Sequence, residues 1–287
     1  MFSKNTLTLL RIPFSFYLMP VYFFAWSQCG KVDGLKAILI FLILHLFIYP
    51  ASNGYNSYQD KDESSIGGLK NPPKVTKQLF YTSLLFDVIG ILLSLFISLE
   101  FFIGIIAYML VSRAYSSRFI RLKKYPIAGF LSVIIFQGAV SFLNVYCGIS
   151  GTKMSEAIHS NLIFALAASS CLIGGVYPLT QIYQHKEDER NGDNTISRML
   201  GYKGTFLFSI VFFAAANALL FVYFTKMEKV QSFYILQGFL FPVILFFVYW
   251  MLKVFKNNAH ANFENTMIMN TLASLLMNLC FIVIYFN

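Results

Sequence analysis

The chain has 287 residues, of which 57% are hydrophobic and only 12% are charged, and its net charge is +9. An average soluble domain carries about 25% charged residues, so this composition excludes an ordinary cytosolic enzyme and a disordered protein. The low density of charge also argues against a nucleic-acid partner, despite the excess of Lys and Arg.

Nine apolar segments are each long enough to cross a bilayer, which takes about 20 residues. In chain order they cover residues 7–28, 35–56, 79–99, 101–117, 127–148, 157–183, 204–225, 231–253 and 265–286. The segments are long and continuous, which favours helices over the short alternating strands of a membrane barrel. The first one contains Arg11 and lacks a small-residue cleavage site, so it is predicted to be a membrane helix rather than a signal peptide. The predicted fold is an all-α polytopic membrane protein with nine transmembrane helices, forming a single domain over residues 1–287.

Charges fall unevenly on the two sides that nine crossings define. Of the 22 Lys and Arg residues, 17 lie on the side that holds the N-terminus and the loops near 57–78, 114–126, 184–203 and 254–264. The remaining five are Lys31, Lys36, Lys153, Lys226 and Lys229. Cytoplasmic loops carry the excess of Lys and Arg in membrane proteins. The N-terminus is therefore predicted to be cytoplasmic and the C-terminus to lie outside.

A first polar cluster follows the second predicted helix, in residues 53–62. Asn53, Asn56 and Asp60 are three and four residues apart, so a continuing helix carries them on one face. Asp62 follows directly. Their oxygens are hard ligands, the type that Mg²⁺ accepts when it also binds phosphate. The alternative is a solvated helix end with an Asn cap.

A second acidic cluster follows the sixth predicted helix, in residues 183–195. Gln184, Glu187 and Asp188 stand at positions i, i+3 and i+4, which again share a helical face. Two acidic helix ends on one side of the membrane predict two divalent ions that hold a diphosphate between them. The alternative is an acidic loop that balances nearby Lys and Arg.

A basic segment follows the fourth predicted helix, in residues 115–126. Arg118, Arg121 and Lys123 are candidates for neutralising phosphate oxygens, and Tyr115 precedes them. Lys70 lies in a Gly- and Pro-rich stretch that permits close backbone approach to an anion. The alternative for these residues is that they only anchor the cytoplasmic side.

Asp87 lies inside the third predicted helix, where a carboxylate is costly and indicates a functional site, either in the acceptor pocket or paired with a residue such as His45. The alternative is a protonated or hydrogen-bonded packing residue. Other polar residues within the helices are predicted to hydrogen-bond between helices. These residues are Gln137, Asn144, Asn217, Asn270 and Asn278.

The order, side and spacing of these clusters resemble the UbiA-type superfamily of intramembrane prenyltransferases. That family has nine membrane helices and two aspartate-rich motifs, which follow helices 2 and 6. The positions that match the motifs are Asn56, Asp60, Asp188, Gly192, Thr195 and Gly201. The positions that depart are Ser57, Ser64 and Gln184, each of which replaces an Asp.

The resemblance implies transfer of an isoprenyl group from an isoprenyl diphosphate, through an allylic cation, to a hydrophobic acceptor. The cofactor is Mg²⁺, and the acceptor is an aromatic ring in most of the family, as in quinone biosynthesis. The implied metal ligands are Asn56, Asp60, Asp62, Gln184, Glu187 and Asp188. The implied diphosphate-binding residues are Lys70, Arg118, Arg121 and Lys123. The implied catalytic residues are Asp60, Asp188 and Tyr115, whose aromatic face would shelter the cation.

Three alternatives stay open: a membrane terpene cyclase of the same superfamily, a member that binds lipid without turnover, and a small-molecule transporter. A transporter is expected to show an ionisable path through the bilayer, whereas here the polar residues concentrate at one membrane face. The expected location is the inner membrane of a bacterium, with the active site facing the cytoplasm.

Overall fold

The computed structural model describes residues 3–287, which contain nine helices long and apolar enough to cross a membrane. They are α1 (Lys4–Ser27), α2 (Gly34–Asp60), α3 (Lys77–Ser94), α4 (Leu99–Ser116), α5 (Pro126–Ser150), α6 (Leu162–Asn191), α7 (Ile196–Lys226), α8 (Val230–Lys256) and α9 (Phe263–Phe286). No strand occurs within this part of the chain. The prediction of an all-helical fold with nine membrane helices is confirmed.

The nine helices form a closed bundle. Each helix packs against the next one in chain order, and α9 returns to pack against α1. Aromatic side chains fill the junction of α1, α5 and α9, where the ring centroid of Phe24 lies 4.8 Å from that of Phe142 and 4.6 Å from that of Phe281. Closure of the bundle leaves a cavity at its centre, which holds the candidate functional site.

α1 is interrupted at Arg11, whose backbone is left-handed with φ of 48°. The segment before it is α-helical over Lys4–Leu10, and the segment after it is a 3₁₀ helix over Ile12–Leu18 that contains Pro13 in its first turn. Proline lacks an N–H group and fits best at such a start, where that group has no helical partner. The break turns the Arg11 guanidinium toward the end of α2, where it donates to the carbonyl oxygen of Asn53 at 3.2 Å.

Both helices that carry the acidic clusters are longer than predicted. α2 continues to Asp60, and α6 continues through a 3₁₀ turn at Ile182–Gln184 into a last helical segment at His185–Asn191. Hydropathy locates the apolar part of a membrane helix, whereas its hydrogen-bonded end can extend into a polar site. The predicted ends at 56 and 183 were therefore too early: Asp60, Glu187 and Asp188 lie on helical backbone, whereas Asp62 lies just beyond α2.

α7 also begins before the predicted position, at Ile196 instead of 204. Its backbone departs from helical geometry at Gly201, with φ of 68° and ψ of 177°. Only glycine adopts that region readily. The break separates the first turn of α7, which follows the cavity-lining Thr195, from the long apolar part of the helix.

Asp87 on α3 pairs with Arg113 near the end of α4; the Asp87 side chain is buried, and that of Arg113 is 16% exposed. His45, the partner considered from the sequence, instead packs among the rings of Tyr22, Phe41 and Tyr49. The Arg113 guanidinium also lies 4.0 Å from the ring centroid of Tyr55 on α2. The ion pair therefore joins α3 and α4 beside the helix that carries the first acidic cluster.

We expect Arg113→Met to lower the free energy of unfolding by about 3–5 kcal/mol, because it leaves the buried Asp87 carboxylate without a counter-charge. Thermal unfolding in detergent measures the effect. The double variant Arg113→Met with Asp87→Asn is expected to recover most of the loss. Glu264→Gln is the matched control, since it removes an exposed ion pair with Lys70 and exposed pairs contribute little. A single Arg113 variant as stable as the wild type would contradict the expectation.

Candidate functional site

A cavity of about 430 Å³ lies inside the bundle and is lined by residues of α1, α2 and α4 to α9. Its polar end lies where α2 and α6 end. Apolar side chains such as Phe24, Leu220 and Phe281 line the rest of the wall. The volume is typical of a small-molecule site. A cavity with one charged end and a long apolar wall fits a molecule with an anionic head and a hydrocarbon tail.

All the side chains predicted as metal ligands line this cavity. They are Asn56, Asp60, Asp62, Gln184, Glu187 and Asp188. The first three come from the end of α2 and the residues just beyond it, and the last three come from the end of α6. The fold therefore brings two clusters that are far apart in the sequence to one polar end.

Asp60 is ion-paired to the basic segment that follows α4. Lys123 Nζ lies 2.5 Å from its Oδ2 atom, and Arg121 Nη1 lies 3.5 Å from its Oδ1 atom. Only 2% of the Asp60 side chain is exposed. The basic segment thus reaches the acidic cluster, and Lys123 itself lines the cavity.

Asp193 is a further acidic residue of this network, and its side chain is only 1% exposed. Arg121 donates to it through two parallel bonds, from Nε at 2.7 Å and from Nη2 at 2.8 Å, and Lys123 Nζ lies 3.3 Å away. The spacing of residues did not identify Asp193 as part of the site. Asp193 follows Gly192, whose backbone is left-handed, and it does not share the helical face of Asp188. Its position depends on a turn that residue spacing does not describe.

Burial and neighbouring charges shift the pKa values of Lys123 and Asp62. Burial lowers the pKa of Lys123, but the carboxylates of Asp60 and Asp193 outweigh burial and raise it above the usual value. Burial, followed by the nearby Asp60 carboxylate, raises the pKa of Asp62 to about 6. Asp62 makes no ion pair within residues 3–287. A cation bound at this end of the cavity would favour its ionised form.

The three predicted ligands of α6 differ in how firmly they are held. Asp188 Oδ2 accepts a hydrogen bond from Thr195 Oγ1 at 2.9 Å, and Thr195 also caps the start of α7. Gln184 Nε2 donates to the carbonyl oxygen of Ser65 at 3.4 Å. Glu187 lies 3.9 Å from Arg190, which is largely exposed. Asp188 is therefore fixed by its own loop, while Glu187 keeps only a loose contact.

Tyr115 meets a second tyrosine at the cavity wall. Its hydroxyl lies 2.5 Å from that of Tyr177, which also accepts a hydrogen bond from Gln181 Nε2 at 2.8 Å. Tyr177, Gln181, Gln184 and Asp188 are spaced four, three and four residues apart, which is one face of a helix. That spacing could have identified Tyr177 from the sequence, had α6 been extended beyond residue 183.

Arg11 on α1 also lines the cavity, although it belongs neither to the two acidic clusters nor to the basic segment. It is buried and makes no ion pair within the described residues, and its guanidinium donates to the carbonyl oxygens of Gly67 at 3.1 Å and Asn53 at 3.2 Å. A buried guanidinium whose hydrogen bonds go only to carbonyl groups keeps its charge available to an anion. Its signal in the sequence was the position of an Arg inside the first apolar segment.

Of the four residues predicted to bind the diphosphate, three do not line the cavity. Lys70 Nζ lies 2.5 Å from Glu264 Oε1, and both side chains are more than half exposed. Arg118 Nε donates to the carbonyl oxygen of Gln59 at 3.0 Å. Arg121 is engaged by Asp193 and Asp60. Of the four, only Lys123 belongs to the cavity wall.

The donor set at the polar end consists of carboxylate and amide oxygens, which fits Mg²⁺ better than a soft metal. Among residues 3–287, no three His, Cys, Asp or Glu side chains form a metal-binding group by themselves. Mg²⁺ is usually held by one or two carboxylates together with water and substrate phosphates. The residues present therefore fit an ion that binds together with a phosphorylated ligand.

The model of the UbiA prenyltransferase family matches residues 17–272 of the chain. No curated protein sequence is significantly similar to it. Three solved structures illustrate the fold. An apo UbiA homolog from Aeropyrum pernix K1 has a TM-score of 0.70 at 18% identity, over 95% of this chain and 98% of that one. A UbiA homolog from Archaeoglobus fulgidus bound to DMAPP and Mg²⁺ has a TM-score of 0.69 at 14% identity, over 98% and 99%. A digeranylgeranylglyceryl phosphate synthase has a TM-score of 0.61 at 18% identity, over 98% and 96%.

Proposed function

The chain belongs to the UbiA prenyltransferase family, and we propose that it transfers an isoprenyl group from an isoprenyl diphosphate to a hydrophobic, aromatic acceptor with the help of Mg²⁺. The observation that carries this proposal is the amphiphilic cavity, where two acidic helix ends face each other at one end of an apolar space. The diphosphate would occupy the polar end, and the isoprenyl chain would lie along the apolar wall.

Oxygen-bearing side chains at the end of α2, just beyond it and at the end of α6 would hold Mg²⁺. They are Asn56, Asp60, Asp62, Gln184, Glu187 and Asp188. When bound, the ion neutralises the diphosphate and makes it a better leaving group. Lys123 and Arg11 line the same end and would bind phosphate oxygens through charge-assisted hydrogen bonds.

Transfer begins when the bond between the first isoprenyl carbon and the diphosphate oxygen breaks, and the electron pair leaves with the diphosphate. The carbon chain is then an allylic cation. The rings of Tyr115 and Tyr177 lie at the cavity wall and would stabilise it through their π faces. The apolar side chains of the cavity wall would keep water away from the cation, which water would otherwise capture. The acceptor attacks the same carbon and releases a proton, which completes the reaction.

We propose that the polar end faces the cytoplasm, in the inner membrane of a bacterium. The ends of α2, α4 and α6 lie on the side that holds 17 of the 22 Lys and Arg residues. The excess of positive charge on cytoplasmic loops supports this orientation. The diphosphate would then be drawn from the cytoplasmic leaflet.

An assay of purified full-length protein in lipid nanodiscs tests the proposed function. Geranyl, farnesyl and geranylgeranyl diphosphate are each supplied with Mg²⁺, with and without a phenolic acceptor such as 4-hydroxybenzoate, and pyrophosphate release is measured. Release that depends on both Mg²⁺ and an acceptor supports prenyl transfer. Release without acceptor would assign a cyclase instead. No binding or cleavage of any diphosphate, across chain lengths and acceptors, would overturn the proposal.

Mass spectrometry of the lipids lost on deletion of the gene would identify the acceptor.

A further inference from the structure

Arg121 and Lys123 contact the same buried carboxylate, yet only Lys123 lines the cavity. We propose that Asp193 and Arg121 form a positioning pair that holds Lys123 at the polar end, and that Lys123 is the cation of this segment that contacts the diphosphate. The inference rests on the proposed function and separates the roles of two basic residues that are two positions apart in the sequence.

The donors of Arg121 are already engaged. Nε and Nη2 bind the two oxygens of Asp193 in parallel, and Nη1 lies 3.5 Å from Asp60. A bidentate pair between guanidinium and carboxylate fixes orientation as well as distance. Because Asp193 is buried, loss of Arg121 would leave its carboxylate with Lys123 as its remaining ion-pair partner. Arg121 therefore acts as a fixed support and has little freedom to follow a ligand.

The support is rigid at both ends. Asp193 donates its backbone N–H to the carbonyl oxygen of Asp188 at 2.8 Å and accepts from Arg198 Nη1 at its own carbonyl oxygen at 2.9 Å. Arg121 has left-handed backbone geometry and opens the short 3₁₀ turn Leu122–Lys124. Holding Arg121 therefore holds the turn that carries Lys123.

Lys123 is placed to exchange partners without moving this turn. Its ammonium group lies 2.5 Å from Asp60 Oδ2 and 3.3 Å from Asp193 Oδ2, and a lysine has three donors. A compact ammonium group on a flexible stem can turn toward a phosphate oxygen more easily than a guanidinium bound on both sides. The two basic residues thus have different tasks, support for Arg121 and ligand contact for Lys123.

Three roles for Asp193 give different results. If it only stabilises the fold, its loss lowers the unfolding temperature and leaves ligand affinity unchanged. If it competes with the diphosphate for cations, its loss raises affinity. If it positions Lys123, its loss lowers affinity, and this effect disappears when Lys123 is already absent.

The first experiment measures binding of inorganic pyrophosphate with Mg²⁺ to the full-length protein in nanodiscs. Lys123→Gln is expected to weaken binding at least about tenfold, since it removes a charge-assisted contact. Asp193→Asn and Arg121→Lys are each expected to weaken it about three- to tenfold through misplacement of Lys123. The double variant Asp193→Asn with Lys123→Gln should match Lys123→Gln within about twofold. Lys124→Gln is the control, because Lys124 is exposed in the same turn, and it should leave binding unchanged.

The second experiment needs no diphosphate. Acetylation of Lys123 by an amine reagent is followed by mass spectrometry, with Lys124 as the internal standard. Asp193→Asn is expected to speed labelling of Lys123 roughly threefold through loss of its fixed contacts, and Asp193→Glu to restore most of the protection. If Asp193→Asn does not fold, Arg121→Lys and Asp193→Glu are measured in the same way.

Unchanged labelling of Lys123 in a folded variant would overturn the positioning role. So would pyrophosphate affinity that is unchanged or raised in Asp193→Asn, or losses that multiply in the double variant. A wild-type protein that binds no pyrophosphate would instead count against the proposed function, and the labelling result alone would then decide whether Asp193 holds Lys123.

Discussion

Asp60→Ala is expected to lower kcat/KM at least about a thousandfold, at the upper end of the loss seen when one group that stabilises developing charge is removed. Asp60 lines the polar end of the cavity and is the closest carboxylate partner of Lys123. Under the proposed function its loss removes a metal ligand and also the ion pair that orders this lysine. The fold should persist, because Lys123 and Arg121 keep their contacts with Asp193.

Pyrophosphate release in nanodiscs measures the loss, and thermal unfolding shows whether the variant is folded. Glu63→Ala is the matched control, since Glu63 is exposed and lies three residues beyond Asp60 without lining the cavity. Asp60→Asn keeps an oxygen donor but removes the charge, so its activity should fall between those of wild type and Asp60→Ala. A folded Asp60→Ala protein with near-normal turnover would remove the metal site from the mechanism.

The number and order of the helices could be predicted because each crossing demands a long apolar run. Their ends could not, because the last turns of α2 and α6 are polar and continue into the site. Hydropathy falls at the point where the helix leaves its apolar surroundings, yet backbone hydrogen bonding continues. The last turns of both helices, which carry Asp60, Glu187 and Asp188, therefore lie beyond the predicted helix ends, although the spacing of these residues already indicated a helical face.

The site could be predicted where its residues share one helical face, as Asn56 and Asp60 do, and could not where it depends on a turn. Asp193 reaches Arg121 only because Gly192 adopts φ of 70°, and Arg121 itself is left-handed. Neither conformation follows from the spacing of charges. The sequence also did not indicate which basic residues line the cavity. Lys70 and Arg118 carry the same charge as Lys123, but Lys70 pairs with Glu264 and Arg118 with the carbonyl oxygen of Gln59.

The second large effect is expected for Asp188→Ala, at the end of α6. Gln184 stands where the family motif has its leading acid, so Asp188 and Glu187 are the charged donors that this helix end contributes to the cavity. Removing Asp188 leaves one of them, and Glu187 keeps only a loose contact with Arg190 at 3.9 Å. We therefore expect a loss in kcat/KM of about a hundred- to a thousandfold.

The fold of Asp188→Ala should survive, because Thr195 loses a side-chain partner but still caps α7 through the backbone N–H of Arg198. Glu189→Ala is the matched control, since this neighbour is largely exposed and pairs with Arg198.

Pyrophosphate release at several Mg²⁺ concentrations separates lost metal affinity from lost catalysis. Adding Gln184→Asp to Asp188→Ala returns a carboxylate to the same helical face and should recover part of the activity at high Mg²⁺. Asp188→Ala with more than about a tenth of wild-type activity would show that the second acidic helix end does not stabilise the leaving diphosphate, since one such group is worth far more.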